Sequence, residues 1–202
     1  MSIREDYKAM GEKILFVGAY PPPYGGIASH LYDLLPQLVR HGYEVVSLTV
    51  SQHEKVIKSN CAKHMYASAR IFFYKNIPLV FMDFIRCLKY KNNINLYDFI
   101  KIITIARLIN KVSREEQVKA VFIYNNNDGM VIPILRRYFK YDNPIAFMIF
   151  GDYYLRPDAY RLISLYIKDV FDKSDVILSS SQYCADSILK VLGYDFPVKV
   201  IY

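Results

Sequence analysis

Cysteine is scarce in this chain of 202 residues. Its three cysteines are an odd number, are widely spaced and form no C-x-x-C pair; they are Cys61, Cys87 and Cys184. Small secreted domains depend on paired cysteines, and structural zinc sites use closely spaced ones. The sequence therefore argues against a disulfide framework and against a zinc site.

Long apolar runs are also missing. The most apolar segment, residues 77–90, is interrupted by Asp83 and Arg86 and is shorter than the ~20 residues that span a bilayer. Residues 1–13 are charged and polar, without the apolar core of a signal peptide. We therefore expect a protein that is made and kept in the cytoplasm.

The composition is that of a folded protein, with 53% hydrophobic, 22% charged and 15% aromatic residues. A net charge of +7 favours phosphate-bearing partners but does not choose among nucleic acid, anionic lipid and nucleotide sugar. No nucleic-acid recognition motif accompanies the charge, so nucleic acid is not an expected partner. No cluster of metal-ligating residues is evident, so we expect no metal.

The first fifty residues predict one βαβ unit. KILFVG, residues 13–18, is a short apolar run typical of a buried parallel strand. Apolar residues then recur at helical spacing from Ile27 to Leu38, and Gly42 is placed to cap that helix. Glu44 to Val50 returns to β-branched strand character.

The alternation continues and predicts an α/β fold: a Rossmann-like parallel sheet with helices on both faces, in a single domain spanning residues 1–202. Further strands are expected at 70–74, 120–124, 145–150, 176–179 and 198–202. Further helices are expected at 78–91, 96–113, 130–139, 159–171 and 181–192.

The loop after the first strand, YPPPYGGI at residues 20–27, is the most informative segment. Two adjacent glycines let a backbone approach an anion, and the helix that follows offers unpaired N–H groups. A tight turn that needs glycine for its geometry alone is an equally physical interpretation. The G-x-G-x-x-G and GK[ST] spacings are both absent.

Polar residues gather where the predicted strands end, which is where ligands bind in such sheets. The candidates are Asn125 to Asp128, Gly151 to Tyr154, and Ser180 with Ser181. Turn and helix-cap chemistry explains the asparagines as well as ligand binding does. His30, in the first turn of the first helix, fits a ligand contact or ordinary packing.

Several of these segments resemble one known family. KILFVGAYPPPYGGIASHLYDLLPQLVRHGYEVVSLTV resembles the opening of family four glycosyltransferases, with a strand, a PPxxGG loop, an amphipathic helix and a second strand. VKAVFIYNNN, IAFMIFGDYY and SDVILSSSQYCADSILKVLGYDFPVKVIY resemble later segments of the same family more weakly. The resemblance implies the amino-terminal half of a GT-B enzyme.

The resemblance also implies roles. The chain would be the acceptor-binding half of a retaining glycosyltransferase that moves a sugar from a nucleotide-sugar substrate to a glycan or lipid-linked acceptor. A donor-binding domain would act with it in cis or in trans, without a cofactor or a metal. The donor phosphates would face Gly25, Gly26 and Ile27, and Asp152 is the catalytic candidate. The acceptor-binding candidates are Tyr24, His30, Asn125, Asn127, Asp128, Gly151 and Tyr153.

Two departures from the family pattern shape these expectations. The family's His-Gly after the fifth strand is Phe150-Gly151 here, and phenylalanine can neither donate nor accept a proton. The family's paired glutamates of the donor half are absent, so we expect the 202-residue chain alone to transfer no sugar. The alternative is a non-catalytic Rossmann-like module that binds a nucleotide or an anionic sugar.

A last pattern concerns residues 70–119, where basic residues alternate with aromatic ones. A basic helix with aromatic residues is one way for a protein to lie on an anionic membrane, where lipid-linked acceptors are found. A solvated face over a core stripe is the commoner origin of such a pattern. The sequence leaves both interpretations open.

Overall fold

The computed structural model describes residues 11–18, 20, 26–50, 55–58, 62–88, 95–124, 128–150, 161–193 and 195–201. The strands are β1 (Lys13–Val17), β2 (Glu44–Val50), β3 (Lys55–Lys58), β4 (Lys63–Ala67), β5 (Ala120–Ile123), β6 (Ile145–Ile149), β7 (Val176–Ser179) and β8 (Val198–Val200). The helices are α1 (Gly26–Arg40), α2 (Ala69–Lys75), α3 (Ile77–Cys87), α4 (Leu96–Glu115), α5 (Val131–Tyr138), α6 (Arg161–Lys173) and α7 (Gln182–Leu192). A short 3-10 turn, Asp128–Met130, precedes α5.

The described strands form one eight-stranded sheet in the order β3-β4-β2-β1-β5-β6-β7-β8. Every neighbouring pair is parallel except β3 and β4, which are antiparallel. Strand β1 lies between β2 and β5, and its Leu15 and Val17 are fully buried. The predicted parallel sheet with a buried first strand is confirmed.

Helices cover both faces of the sheet, as predicted. On one face Leu15, Val17 and neighbouring strand residues pack in a large core with side chains of α2 to α7. On the other face Ile14 and Phe16 pack in a smaller core with Leu31 and Leu35 of α1. Alternate residues of one buried strand thus serve two cores, which explains the continuous apolar runs of the sequence.

Local capping defines where several helices begin and end. Ser68, Asn95 and Ser181 each accept a backbone N–H of the first turn of α2, α4 and α7 respectively. Helix α1 is closed by Gly42 at φ 91°, and α7 by Gly193 at φ 70°, backbone conformations that favour glycine. The predicted glycine caps are confirmed.

The structure differs from the sequence predictions at several elements. Residues 70–74 form helix α2 and not a strand, because Ser68 Oγ accepts the Ile71 N–H at 3.3 Å and starts a helix there. Strands β3 and β4 were not predicted. The helix expected at 78–91 is α3, which ends at Cys87, whereas α4 runs two residues beyond its expected end.

None of the helices described is both long and apolar enough to cross a membrane. The division of the natural protein into domains stays a prediction.

Candidate functional site

The carboxyl ends of the parallel strands meet at one edge of the sheet, and the loop after β1 is tied to β2 there. Thr49 of β2 donates a hydrogen bond from Oγ1 to the Gly18 carbonyl at 2.9 Å. The same Oγ1 accepts the backbone N–H of Tyr20 at 3.0 Å. One buried hydroxyl therefore holds the chain in place on both sides of residue 19.

Gly18 also sets how closely β1 and β5 approach at this edge. A Cβ built on Gly18 would lie 2.9 Å from Tyr124 Cβ and 3.4 Å from Leu31 Cδ1. The Tyr124 N–H donates to the Val17 carbonyl at 2.7 Å, so the two strand ends are hydrogen-bonded as well as close. A side chain at position 18 would push them apart.

Tyr20 lies on a histidine that sequence reasoning missed. The Tyr20 ring stacks on the His64 ring with centroids 3.8 Å apart, and His64 Nδ1 is hydrogen-bonded to Ser47 Oγ at 2.7 Å. His64 is 3% exposed, and this burial lowers the pKa of its imidazole. Every second residue of KHMYA in strand β4 is buried, but no polar–apolar alternation marks this segment in the sequence.

Gly26 is the first residue of α1. A Cβ built there would have no described heavy atom within 4 Å. Positive φ among the described glycines occurs at Gly11, Gly42 and Gly193, and not at Gly26. Neither backbone strain nor crowding by the described residues therefore explains a glycine at the start of α1, where helix N–H groups lack partners within the helix.

His30 lies one turn further along α1 and contacts the ends of β5 and β6. Its ring stacks on Tyr124 with centroids 5.7 Å apart and meets Phe150 edge-on at 6.0 Å. Tyr124 is 1% exposed, and burial raises the pKa of its hydroxyl to about 12, so the phenol stays protonated at neutral pH. His30 itself is exposed.

The three rings of His30, Tyr124 and Phe150 form what we call the edge cluster. Tyr124 and Phe150 are themselves 5.7 Å apart, so each ring contacts the other two. The phenylalanine at position 150 thus has an imidazole packed against it, contributed by α1. The predicted contact residue His30 and the departure at Phe150 prove to be neighbours.

Most of the other predicted site residues lie outside the described residues. These are Tyr24, Gly25, Asn125, Asn127, Gly151, Asp152 and Tyr153. For Ile27 and Asp128 the structure describes the backbone, in α1 and at the start of the 3-10 turn respectively. Their roles stay predictions.

The serines after β7 have a structural explanation. Ser181 Oγ accepts the Cys184 N–H at 3.1 Å and caps α7, while Ser179 Oγ donates to the Ser181 carbonyl at 2.9 Å. These bonds occupy the side chains of Ser179 and Ser181 within the turn.

A cavity of about 680 Å³ lies at the opposite edge, beside the amino ends of the strands. Its lining carries charges of both signs, and Lys13 Nζ lies 3.3 Å from Glu44 Oε2 and 3.6 Å from Glu116 Oε2. Ligands of parallel sheets bind at carboxyl ends, so size alone does not make this cavity the site. Among the described residues, no group of three His, Cys, Asp or Glu is placed to hold a metal.

Comparison with known proteins agrees with this geometry. The model of the family described as Glycosyltransferase Family 4 matches residues 24–202, which is most of the chain. No curated protein matches the sequence.

Solved structures share the fold at low sequence identity. Sucrose-phosphate synthase from Thermosynechococcus elongatus superposes with a TM-score of 0.66 at 11% identity, covering 94% of this chain and 47% of that one. An alpha,alpha-trehalose-phosphate synthase (UDP-forming) from Burkholderia xenovorans, in complex with glucose-6-phosphate, gives 0.57 at 12% identity, with 90% and 43% covered. The corresponding Burkholderia vietnamiensis enzyme gives 0.53 at 12%, with 95% and 48% covered. The chain spans about half the length of these proteins.

Proposed function

The chain belongs to glycosyltransferase family 4, and from that premise we propose that it forms the acceptor-binding half of a retaining glycosyltransferase. The complete enzyme moves a sugar from a nucleotide-sugar donor to a glycan or a lipid-linked acceptor. The observation that carries the proposal is the amino terminus of α1 at the carboxyl edge of the sheet, where a Cβ built on Gly26 would meet no heavy atom of the described residues within 4 Å.

A helix amino terminus at this place suits the departing group of a sugar transfer. The first N–H groups of α1 have no partners within the helix, and the helix dipole places partial positive charge there. A nucleotide diphosphate that leaves the sugar gains negative charge, which such N–H groups stabilise. Gly25, Gly26 and Ile27 would therefore face the donor phosphates, and the missing side chain at Gly26 lets them approach.

The edge cluster supports a contact with the acceptor. Phe150 has no group that exchanges protons, but the imidazole of the exposed residue His30 packs against its ring. His30 can donate a hydrogen bond to a hydroxyl of the sugar acceptor or accept one from it. The buried Tyr124 holds the imidazole in place. Asp152 is the proposed catalytic carboxylate, and Tyr24, Asn125, Asn127, Asp128, Gly151 and Tyr153 are the proposed acceptor contacts.

The proposed partner is a donor-binding domain, in the same polypeptide or in a second one. The three solved proteins compared above are about twice as long as this chain. The nucleotide sugar is a substrate, and the proposal includes no cofactor and no metal. If the acceptor is lipid-linked, the reaction takes place at a membrane surface.

Replacing Gly26 with valine tests the proposal. In the enzyme that includes the donor-binding half, Gly26→Val should lower turnover about tenfold or more, because a β-branched side chain blocks the approach to the N–H donors. Gln37→Val places the same residue on an exposed position of α1 away from this edge and should leave turnover unchanged. Equal turnover of Gly26→Val and wild type would contradict the proposal.

The second candidate is a non-catalytic module that binds a nucleotide or an anionic sugar, and the phenylalanine at position 150 favours it. Calorimetry on the 202-residue chain separates the two functions. Micromolar nucleotide-sugar binding by the wild-type chain, abolished by Gly26→Val, would establish the binding module and overturn the acceptor-binding half.

A further inference from the structure

Helix α3 has an inverted distribution of apolar and charged residues. Its solvent-facing side chains are almost all apolar, with relative exposures between 43% and 59%; they are Ile77, Leu79, Phe81, Met82 and Ile85, followed by Leu88 just after the helix. A surface helix of a water-exposed domain normally buries such residues and exposes its charges. The outer face of α3 therefore lacks a partner among the described residues.

The inversion is held in place by an ion pair on the inner face of α3. Asp83 is 4% exposed, and its carboxylate oxygen Oδ2 lies 2.5 Å from Arg107 Nε of α4. Val80 and Cys87 are buried on the same face. A rotation of α3 that hid its apolar side chains would move Asp83 away from Arg107, so the outward apolar face is a built feature of the fold.

The exposed apolar surface continues onto α2 and the start of α4. Tyr74 is 60% exposed, Leu96 51% and Tyr97 77%. A groove of about 450 Å³ runs between these two helices, with Phe73, Tyr74 and Tyr97 among its aromatic lining and Arg70 and Lys101 among its basic lining. We call α3, this groove and Leu96 the α2–α4 surface.

The charges around the α2–α4 surface are of one sign. Its exposed ionic side chains are basic: Arg70, Lys75, Arg86 and Lys101. The acidic residues within 69–88 and 95–101 are Asp83, which is buried against Arg107, and the half-buried Asp98, which is hydrogen-bonded to Asn95. An apolar face with a basic rim is complementary to a layer of anionic headgroups over hydrocarbon.

We propose that the α2–α4 surface docks on an anionic lipid bilayer, with the outer side chains of α3 inserted at the level of the headgroups. Basic residues at the rim contact lipid phosphates, and the aromatic rings of the groove lie at the interface, where such rings are favoured. This inference rests on the α2–α4 surface alone and does not depend on the proposed sugar transfer.

The docked orientation has a consequence for the candidate site. Helix α2 starts directly after β4 at the carboxyl edge, and α4 runs back toward the amino end of β5, so Leu96 and Tyr97 lie toward the carboxyl edge. The bilayer would therefore lie beside the same edge as His30 and Gly26. A lipid-linked acceptor would reach the site without leaving the membrane.

Vesicle co-sedimentation of the 202-residue chain tests the proposal. Vesicles of phosphatidylcholine with about one third phosphatidylglycerol should bind the chain at least tenfold more tightly than pure phosphatidylcholine vesicles, and added salt should weaken the binding. The triple variant Phe81→Ser, Met82→Ser, Ile85→Ser should lose at least tenfold in affinity and melt at the same temperature. The variant Arg70→Gln, Arg86→Gln, Lys101→Gln should lose binding to the anionic vesicles.

Matched controls separate this surface from general stickiness. Val56→Ser removes an exposed apolar residue of β3, and Arg40→Gln, Arg114→Gln, Lys199→Gln removes the same number of charges elsewhere; both should bind as the wild type does. Undiminished binding by the serine triple variant would overturn the proposal, as would equal binding to the two kinds of vesicle. A chain that dimerises by sedimentation velocity, and becomes monomeric in the serine triple variant, would assign the surface to a second copy and also overturn it.

Discussion

The ring of Tyr20 stacks on the imidazole of His64, with the two centroids 3.8 Å apart and the planes inclined by 16°. Tyr20 follows the central strand and His64 belongs to β4, so the contact crosses β2 on the face covered by α1. The imidazole is buried and hydrogen-bonded to Ser47. The start of the glycine loop therefore rests on a histidine that the fold keeps neutral.

This contact predicts that the fold weakens on mild acidification. Burial lowers the pKa of His64 below 6.5 in the folded chain, whereas the unfolded chain takes up the proton near its ordinary value. The stability due to the neutral ring is complete above about pH 6.5 and is lost as the pH falls toward the folded pKa. We expect the free energy of unfolding in urea to decrease over that interval.

The variant His64→Gln should make the pH dependence shallower, because glutamine does not titrate and can still bond Ser47. His41 is an exposed histidine at the end of α1, and His41→Gln should leave the wild-type slope. An unchanged slope in His64→Gln would show that another group causes the acid sensitivity.

Gly18 and Gly26 should differ in their response to the same substitution. Gly18→Ala brings a methyl group to 2.9 Å from Tyr124 Cβ, which is attached to backbone and cannot rotate away. We expect a loss of about 1–3 kcal/mol in the free energy of unfolding, as for other overpacked sites. Gly26→Ala meets nothing within 4 Å and should stay within about 0.5 kcal/mol of the wild type.

Denaturant unfolding of the two alanine variants measures the difference directly. A Gly18→Ala chain as stable as Gly26→Ala would mean that β1 and β5 separate at this edge without cost. In that case Gly18 would not set the approach of the two strands.

The first βαβ unit could be predicted from the sequence because its signals agree with one another. The apolar run of β1, the helical spacing in α1 and Gly42 each indicate the same boundaries, and the structure has them within two residues. Strands β3 and β4, at one end of the sheet, offered no such agreement, since β4 combines Lys63 and His64 with apolar neighbours. The aromatic residues of α2 favoured a strand in the sequence, but in the structure Ser68 caps a helix there.

The sequence predicted on which edge of the sheet the candidate site lies, but not which side chains meet there. In a parallel sheet ligands bind at the carboxyl ends of the strands, and His30 lies at that edge. His30 contacts Tyr124 and Phe150 because β5 lies next to β1 in the sheet and β6 lies next to β5. The sequence does not reveal this strand order, because the strands are far apart along the chain. The outward face of α3 also escaped prediction, because its single acidic residue, Asp83, faces inward.

The two partners of the Asp83–Arg107 pair should differ in their cost of removal. The Asp83 side chain is 6% exposed and the Arg107 side chain 23%, so the carboxylate depends more on its partner. We expect Arg107→Leu to cost about 3 kcal/mol, because it leaves a buried anion unpaired. Asp83→Leu should cost about 2 kcal/mol, since the guanidinium keeps some water and lies 5.8 Å from the Phe139 ring centroid.

The double variant Asp83→Leu, Arg107→Leu should recover most of the loss, as replaced buried ion pairs commonly do. A double-mutant cycle in urea gives the coupling energy. Additive losses from the two single variants would contradict the pairing.

His30 offers a direct test of whether the edge cluster touches the acceptor or only packs. His30→Phe keeps an aromatic ring against Tyr124 and Phe150 but removes both hydrogen-bonding nitrogens, so stability should stay within about 0.5 kcal/mol. If the imidazole binds an acceptor hydroxyl, turnover by the enzyme joined to its donor-binding half should fall about tenfold, because a hydroxyl left unpaired costs ~1–3 kcal/mol.

The variant His30→Asn supplies the complementary measurement. Asparagine loses most of the ring stacking but retains a donor and an acceptor, so it should lower stability while keeping more turnover than His30→Phe. Melting temperature and turnover should therefore rank the two variants in opposite orders. Parallel ranking, with turnover following stability in both, would assign His30 a packing role and remove it from the acceptor contacts.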